Sequence, residues 1–133
     1  MIGRLARGDD DRAVQPERQR KSVGAETTFA QDLPDGPPLR RELARTVDRV
    51  ARHLEHADLH AGTVGLKLRY ADFRTVSRQV SWRAATRDGA QLLAAANHLL
   101  DRVAGPGDRF RLIGVHCTRL EAAGQRQLAL WDG

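Results

Sequence analysis

Between Gly62 and Trp82 the chain alternates apolar and polar residues with a period of two. Val64, Leu66 and Leu68 share one parity, and Thr63, Gly65, Lys67 and Arg69 the other; further on, Val76, Val80 and Trp82 oppose Thr75, Ser77, Gln79 and Ser81. Successive side chains of a strand point to opposite faces, so this pattern predicts two strands joined by a short turn. One face is apolar and the other carries small, hydroxyl and basic groups. Arg78 falls on the apolar parity, which predicts a bulge or an edge strand there.

The rest of the chain divides by the same reasoning. Lys21 to Phe29 reads as a strand, with Val23, Ala25, Thr27 and Phe29 on one parity and Ser22, Gly24, Glu26 and Thr28 on the other. Leu33-Pro34-Asp35-Gly36-Pro37-Pro38 is a breaker, and proline is tolerated in a first helical turn because its missing N–H would be unpaired anyway. A helix is predicted from there to about His56, with Leu39, Leu43, Val47, Val50 and Leu54 as its apolar stripe. Asp88 and Gln91 have capping-box spacing. They open a second amphipathic helix built on Leu92, Leu93, Ala96, Leu99, Leu100 and Val103, which Gly105-Pro106-Gly107 stops. Arg109 to Thr118 is the last strand, with Ile113, Val115 and Cys117 opposed to Leu112, Gly114, His116 and Thr118.

The order β-α-β-β-α-β, with one stripe to bury on each helix, predicts an α+β domain. One four-stranded antiparallel sheet with both helices on the same face satisfies it. The opposite face would collect Ser22, Gly24, Lys67, Arg69, Thr75, Ser77, Gln79, Gly114 and His116, with Glu26 its one carboxylate. Cations, hydroxyls and amides suit phosphate oxygens, and glycine permits close approach, so the pattern points to a sugar–phosphate backbone. An ordinary half-solvated sheet face is the plainer alternative.

Charge strengthens the first reading. The 133 residues carry a formal +5 with a sequence pI near 10.6, and of the 22 basic side chains only Lys21 and Lys67 are lysines. The arginine fork matches phosphate. A hydrophobic fraction of 41% and an aromatic fraction of 5% imply one domain, with part of the chain outside the core. Residues 1–20 are dense in charge and read as a helix end and extended linker. Asp9-Asp10-Asp11 are read as a helix terminus or solvated turn rather than a metal site. His53, His56 and His60 have loosely ligand-like spacing, but favourable placement at the negative end of the first helix explains them better. Cys117, the one cysteine, allows no internal disulfide or thiolate zinc site and is expected to be a small buried hydrophobe. No apolar run reaches membrane length, so a soluble intracellular protein with no membrane partner is expected. After a linker at 121–126 the chain ends Gln-Leu-Ala-Leu-Trp-Asp-Gly. Such apolar residues at a terminus either fold back on the domain or dock in another protein.

Four stretches in combination, R-K-S-V-G-A-E-T-T-F, G-L-K-L-R-Y-A-D-F-R-T-V-S-R-Q, R-L-I-G-V-H-C-T and terminal Q-L-A-L-W, resemble the C-terminal part of bacterial DNA polymerase IV, the DinB group of Y-family translesion polymerases. The resemblance implies the end of the thumb and a linker at 1–21, a little-finger domain at 22–120, and a flexible tail at 121–133. It implies a sheet laid in the major groove of primer–template DNA, gripping backbone through Lys21, Ser22 and Gly24, through Lys67 and Arg69, through Thr75, Ser77 and Arg78, and through Arg111, Leu112 and Gly114. Gln127, Leu128, Leu130 and Trp131 are similar to the family's motif for the DNA polymerase III sliding clamp (its beta subunit). The family's palm and fingers have no counterpart here, so a non-catalytic, monomeric, cytoplasmic and nucleoid-associated fragment is expected. It would need no cofactor itself, with magnesium belonging to the parent polymerase. A protein–protein adaptor acting through the tail, and an RRM-like RNA-binding sheet, are the alternatives. The second would need aromatics on the central strands.

Overall fold

The computed structural model describes residues 22–122. Their elements run β1 (Val23–Pro34), α1 (Pro37–Ala57), β2 (Leu59–Tyr70), β3 (Thr75–Thr86), α2 (Gly89–Val103) and β4 (Arg109–Ala122). The four strands form one antiparallel sheet in the order β1-β4-β2-β3. The β-α-β-β-α-β order and the α+β class therefore stand as the periodicity predicts.

Both helices cover one face of the sheet. Leu39, Leu43, Val47, Val50 and Leu54 of α1, with Leu92, Ala96, Leu99 and Leu100 of α2, are buried against Val23, Ala25, Val64, Leu66, Leu68, Ile113, Val115 and Cys117. Each fully buried side chain of this size contributes about 1.5–3 kcal/mol relative to exposure, which is why the stripes fix the packing. Thr46 is the polar residue of α1 buried in this layer. It is satisfied locally: its hydroxyl donates to the Glu42 carbonyl oxygen at 2.8 Å and lies 3.1 Å from the Thr27 hydroxyl.

Helix ends follow the signals in the sequence. Pro37 opens α1 after Gly36, and Asp58 ends it in a left-handed conformation, its N–H donating to the Leu54 and Glu55 carbonyls. The Asp88 carboxylate accepts from the Ala90 N–H at 3.1 Å and caps α2. Arg40 ties the two helices together. Its guanidinium donates to Asp35 Oδ1 and Oδ2 (2.9 and 3.0 Å), to Asn97 Oδ1 (2.8 Å) and to Asp101 Oδ1 (2.7 Å). The bond from Arg40 holds the Asp35 carboxyl below its usual range, and Asp35 in turn raises the arginine.

Two expectations are corrected. First, β1 does not end at Phe29: it passes an irregular stretch between Thr28 and Leu33, then pairs Leu33 with Phe110 and Pro34 with Arg109. Proline is tolerated because β1 is an edge strand, where one side of the backbone needs no partner. Second, β4 continues to Ala122, two residues into the segment read as linker, where Glu121 and Ala122 pair with His60 and Leu59. Of the two readings open for Arg78, the edge strand holds: β3 ends the sheet, and Arg78 pairs in register with Leu66.

Candidate nucleic-acid interface

The helix-free face of the sheet is built from the residues whose register neighbours lie opposite the core. Reading across β1, β4, β2 and β3, one row is Gly24, His116, Gly65 and Gln79. The next is Glu26, Gly114, Lys67 and Ser77, and the third is Thr28, Leu112, Arg69 and Thr75. Thr118, Thr63 and Ser81 continue the face at one end.

Glycines let neighbouring side chains lie across the sheet. A Cβ on Gly65 would stand 2.2 Å from Nε2 of His116, so the imidazole lies over that backbone. A Cβ on Gly114 would meet Cγ of Glu26 at 3.0 Å; with none there, the Glu26 carboxylate accepts from the Lys67 ammonium at 2.9 Å. Arg49 of α1 reaches the β1 edge and donates to the Glu26 carbonyl oxygen at 3.4 Å. Glu26, Arg49, Lys67, Gly114 and His116 border a shallow concavity of about 380 Å³. Arg69 donates to the Thr75 hydroxyl at 3.2 Å, and the Thr63 and Ser81 hydroxyls are 2.8 Å apart. Hydroxyls and bare backbone outnumber charges on this face, and one of its two cations is already paired.

Further positive charge sits at one end of the sheet. There the Arg74 guanidinium lies 4.3 Å over the Tyr70 ring, and that of Arg111 lies 4.5 Å over the Phe73 ring. Arg109 donates to the Asp32 carbonyl oxygen at 3.1 Å, while Arg111 approaches the Asp32 carboxylate at 3.6 Å.

Of the residues singled out from the sequence, Ser22, Gly24, Lys67, Arg69, Thr75, Ser77, Leu112 and Gly114 share the helix-free face or its parity. Leu112 is 7% exposed there, between Thr28 and Arg69. Arg111 is the extra residue of a bulge, lying between the pairs Arg69–Leu112 and Tyr70–Phe110. Arg78 lies on the helix-side parity at the exposed β3 edge, its guanidinium donating to the Ser77 carbonyl oxygen at 2.8 Å. Lys21, Asp9 to Asp11 and the tail residues Gln127, Leu128, Leu130 and Trp131 lie outside the described residues. The Glu26–Lys67 pair and the His116–Gly65 overlap went unforeseen; both depend on register, which a single strand does not reveal.

His53 and His56 are exposed on α1 and His60 belongs to β2; among the described residues no group of three His, Cys, Asp or Glu side chains is placed to hold a metal ion. Burial pushes the Cys117 thiol up to about 12, so at neutral pH it is an unreactive core group. No helix among the described residues is long and apolar enough to cross a membrane.

A family model described as the impB/mucB/samB family C-terminal domain matches residues 20–130. The chain belongs to this family. Among curated impB/mucB/samB-type relatives, DNA polymerase IV of Halorhodospira halophila is 41% identical over 122 residues, which is 92% of this chain and 34% of the relative. DNA polymerase IV of Alkalilimnicola ehrlichii is 41% identical over 131 residues, 96% of this chain and 36% of the relative. The chain thus spans about one third of the length of these relatives. A solved complex of the beta-clamp processivity factor with the little finger domain of PolIV matches with a TM-score of 0.56 and 29% identity, covering 73% of this chain and 86% of that one. The DinB family error-prone DNA polymerase of Sulfolobus solfataricus shares the fold, with a TM-score of 0.64 at 14% identity over 73% of this chain and 28% of that one. The impB/mucB/samB domain described here therefore has the little-finger fold of Y-family polymerases.

Proposed function

We propose that this domain holds the primer–template duplex of a translesion DNA polymerase by its sugar–phosphate backbone and does no chemistry itself. The observation that carries the reading is the sheet face left open by both helices, where hydroxyls, glycine backbone, Lys67 and Arg69 stand together. Such groups contact phosphate without reading base edges. Ser22, Gly24, Lys67, Arg69, Thr75, Ser77, Leu112 and Gly114 would meet the duplex on the flat of the sheet, with Lys21, Arg78 and Arg111 reaching strands at its margins. On this reading the polymerase's metal-binding carboxylates, and with them magnesium, would belong to the part of the relatives, about two thirds of their length, that this chain does not span.

The tail Gln127, Leu128, Leu130 and Trp131 would dock in the sliding clamp, in keeping with the clamp complex formed by the related little finger. The expected arrangement is an end of thumb and linker at 1–21, the holding domain, and a clamp-binding tail.

Binding of a blunt DNA duplex at two or more salt concentrations tests the grip. Affinity should fall steeply as salt rises and vary little between sequences, because counterion release from phosphates drives it. Salt-insensitive or strongly sequence-selective binding would overturn the reading. An RNA-stacking sheet of RRM type is disfavoured, since the central rows carry His116, Lys67, Arg69 and glycines and no phenylalanine, tyrosine or tryptophan.

A further inference from the structure

The turn between β2 and β3 holds a phenylalanine where the backbone asks for glycine. Phe73 N–H donates to the Tyr70 carbonyl oxygen at 2.9 Å, and Tyr70 N–H closes the loop on the Arg74 carbonyl oxygen at 2.8 Å. Asp72 Oδ1 accepts from the Arg74 N–H at 3.0 Å. This is the three-residue hairpin loop whose last position is left-handed, a place that favours glycine. Phe73 takes it with φ 73°. A bulky residue at positive φ is an outlier, and such strain is commonly retained where the site has a task.

The ring gains nothing from the core. It is 62% exposed, the exposed large hydrophobic side chain among the described residues. The Arg111 guanidinium lies over it, 4.5 Å from the ring centre. Arg111 is the bulge residue beside Leu112, and the turn follows closely on the pair Arg69–Thr75, so the ring lies at the strand ends, next to the row Thr28, Leu112, Arg69 and Thr75. Arg69, Arg74, Arg109 and Arg111 gather at this end of the sheet, where Arg74 pairs with Asp72 at 3.4 Å, Arg111 approaches Asp32 at 3.6 Å, and Arg109 shares a surface hollow with Asp72 and Asp108. An aromatic face among cations, held by a rigid turn, suits an unstacked nucleobase flanked by its phosphates.

We infer that Phe73 is a stacking platform for an unpaired base of the template strand, where single-stranded template leaves the duplex lying on the sheet. This rests on the proposed duplex grip and adds to it a site for single-stranded DNA. Arg111 would cover one side of the ring and the base the other, with the neighbouring arginines on the flanking phosphates. The strain at Phe73 is then retained for binding at the expense of stability.

The experiment compares the full 133-residue chain with Phe73→Gly on two fluorescent probes, a blunt duplex and the same duplex with a 5′ overhang. Glycine suits the left-handed turn, so the variant should melt no lower than the wild type. It should bind the blunt duplex within twofold of the wild type and the overhang probe at least about fivefold more weakly, the usual cost of losing one base stack. Equal affinities of both proteins for the overhang probe would overturn the inference, and that result is expected if the ring packs on another protein segment. Equal weakening on both probes would overturn it too, by making Phe73 a general duplex contact. A wild type that binds the overhang through Phe73 but fails on the blunt duplex would sustain the platform and overturn the sheet reading.

Discussion

Glu26 and Lys67 meet 2.9 Å apart across the bare backbone of Gly114, joining strands that are not neighbours in the sheet. Glu26 is the carboxylate of the helix-free face, and it sits on one of that face's two cations. On the proposed duplex grip, the carboxylate holds in the free domain the place a phosphate oxygen would take.

Glu26→Gln should therefore tighten duplex binding severalfold, and the slope of log K against log salt should steepen by about one phosphate contact, roughly 0.9. Both effects should vanish when Lys67 is already glutamine. Fluorescence anisotropy on the four proteins of that cycle supplies the check, and tightening that persists without Lys67 would mean general charge removal instead.

Gly65→Ala places a methyl where the His116 ring lies. The half-exposed imidazole can swing away, so stability should change by less than about 1 kcal/mol. Duplex affinity should fall, because the displaced ring keeps the backbone off the sheet. Melting and binding measured on the same sample separate the two, and a large drop in melting temperature would show that the ring cannot yield.

The alternation that makes these faces was legible in the sequence. Val64, Leu66 and Leu68 are buried, and their neighbours Lys67 and Arg69 lie on the other side, as period two requires. The α1 stripe and the Asp88 cap were equally plain, because both are local. What escaped was long-range: that β4 lies between β1 and β2, and that Glu26 shares a row with Lys67, 41 residues away. β1 continued past Thr28 for a related reason. The pairing of Leu33 with Phe110 resumes beyond the irregular stretch, and no local period signals it. The left-handed conformation of Phe73 is equally hidden, because a phenylalanine does not announce a positive φ as glycine does.

Arg40→Ala should destabilise the domain by about 1 kcal/mol, since it leaves Asp35, Asn97 and Asp101 without a shared donor, although the site is partly solvated. For a domain of this size the melting temperature should drop by about 4–8 °C. Asp35 is held below its usual 3.8 by Arg40, so its contribution is present above that value and fades as pH falls through the lowered one. Thermal melts at neutral pH and in acid, below the usual carboxylate range, should show the gap between wild type and variant narrowing in acid; a constant gap would contradict the linkage.

In the tail, Leu128→Ala with Leu130→Ala should abolish binding to the sliding clamp while leaving duplex affinity unchanged. Surface-immobilised clamp and a duplex titration read the two activities separately. Clamp association that survives the double change would refute the tail's assignment.

The central claim is that duplex DNA lies on the helix-free face. Backbone amide chemical shifts recorded while a primer–template is titrated into isotope-labelled protein address it most directly. The largest changes should fall on Ser22, Gly24, Lys67, Arg69, Thr75, Ser77 and Gly114, with the outer surfaces of α1 and α2 silent. Changes concentrated on Arg45, Arg52 and the rest of the exposed α1 surface, with the sheet unmoved, would contradict it.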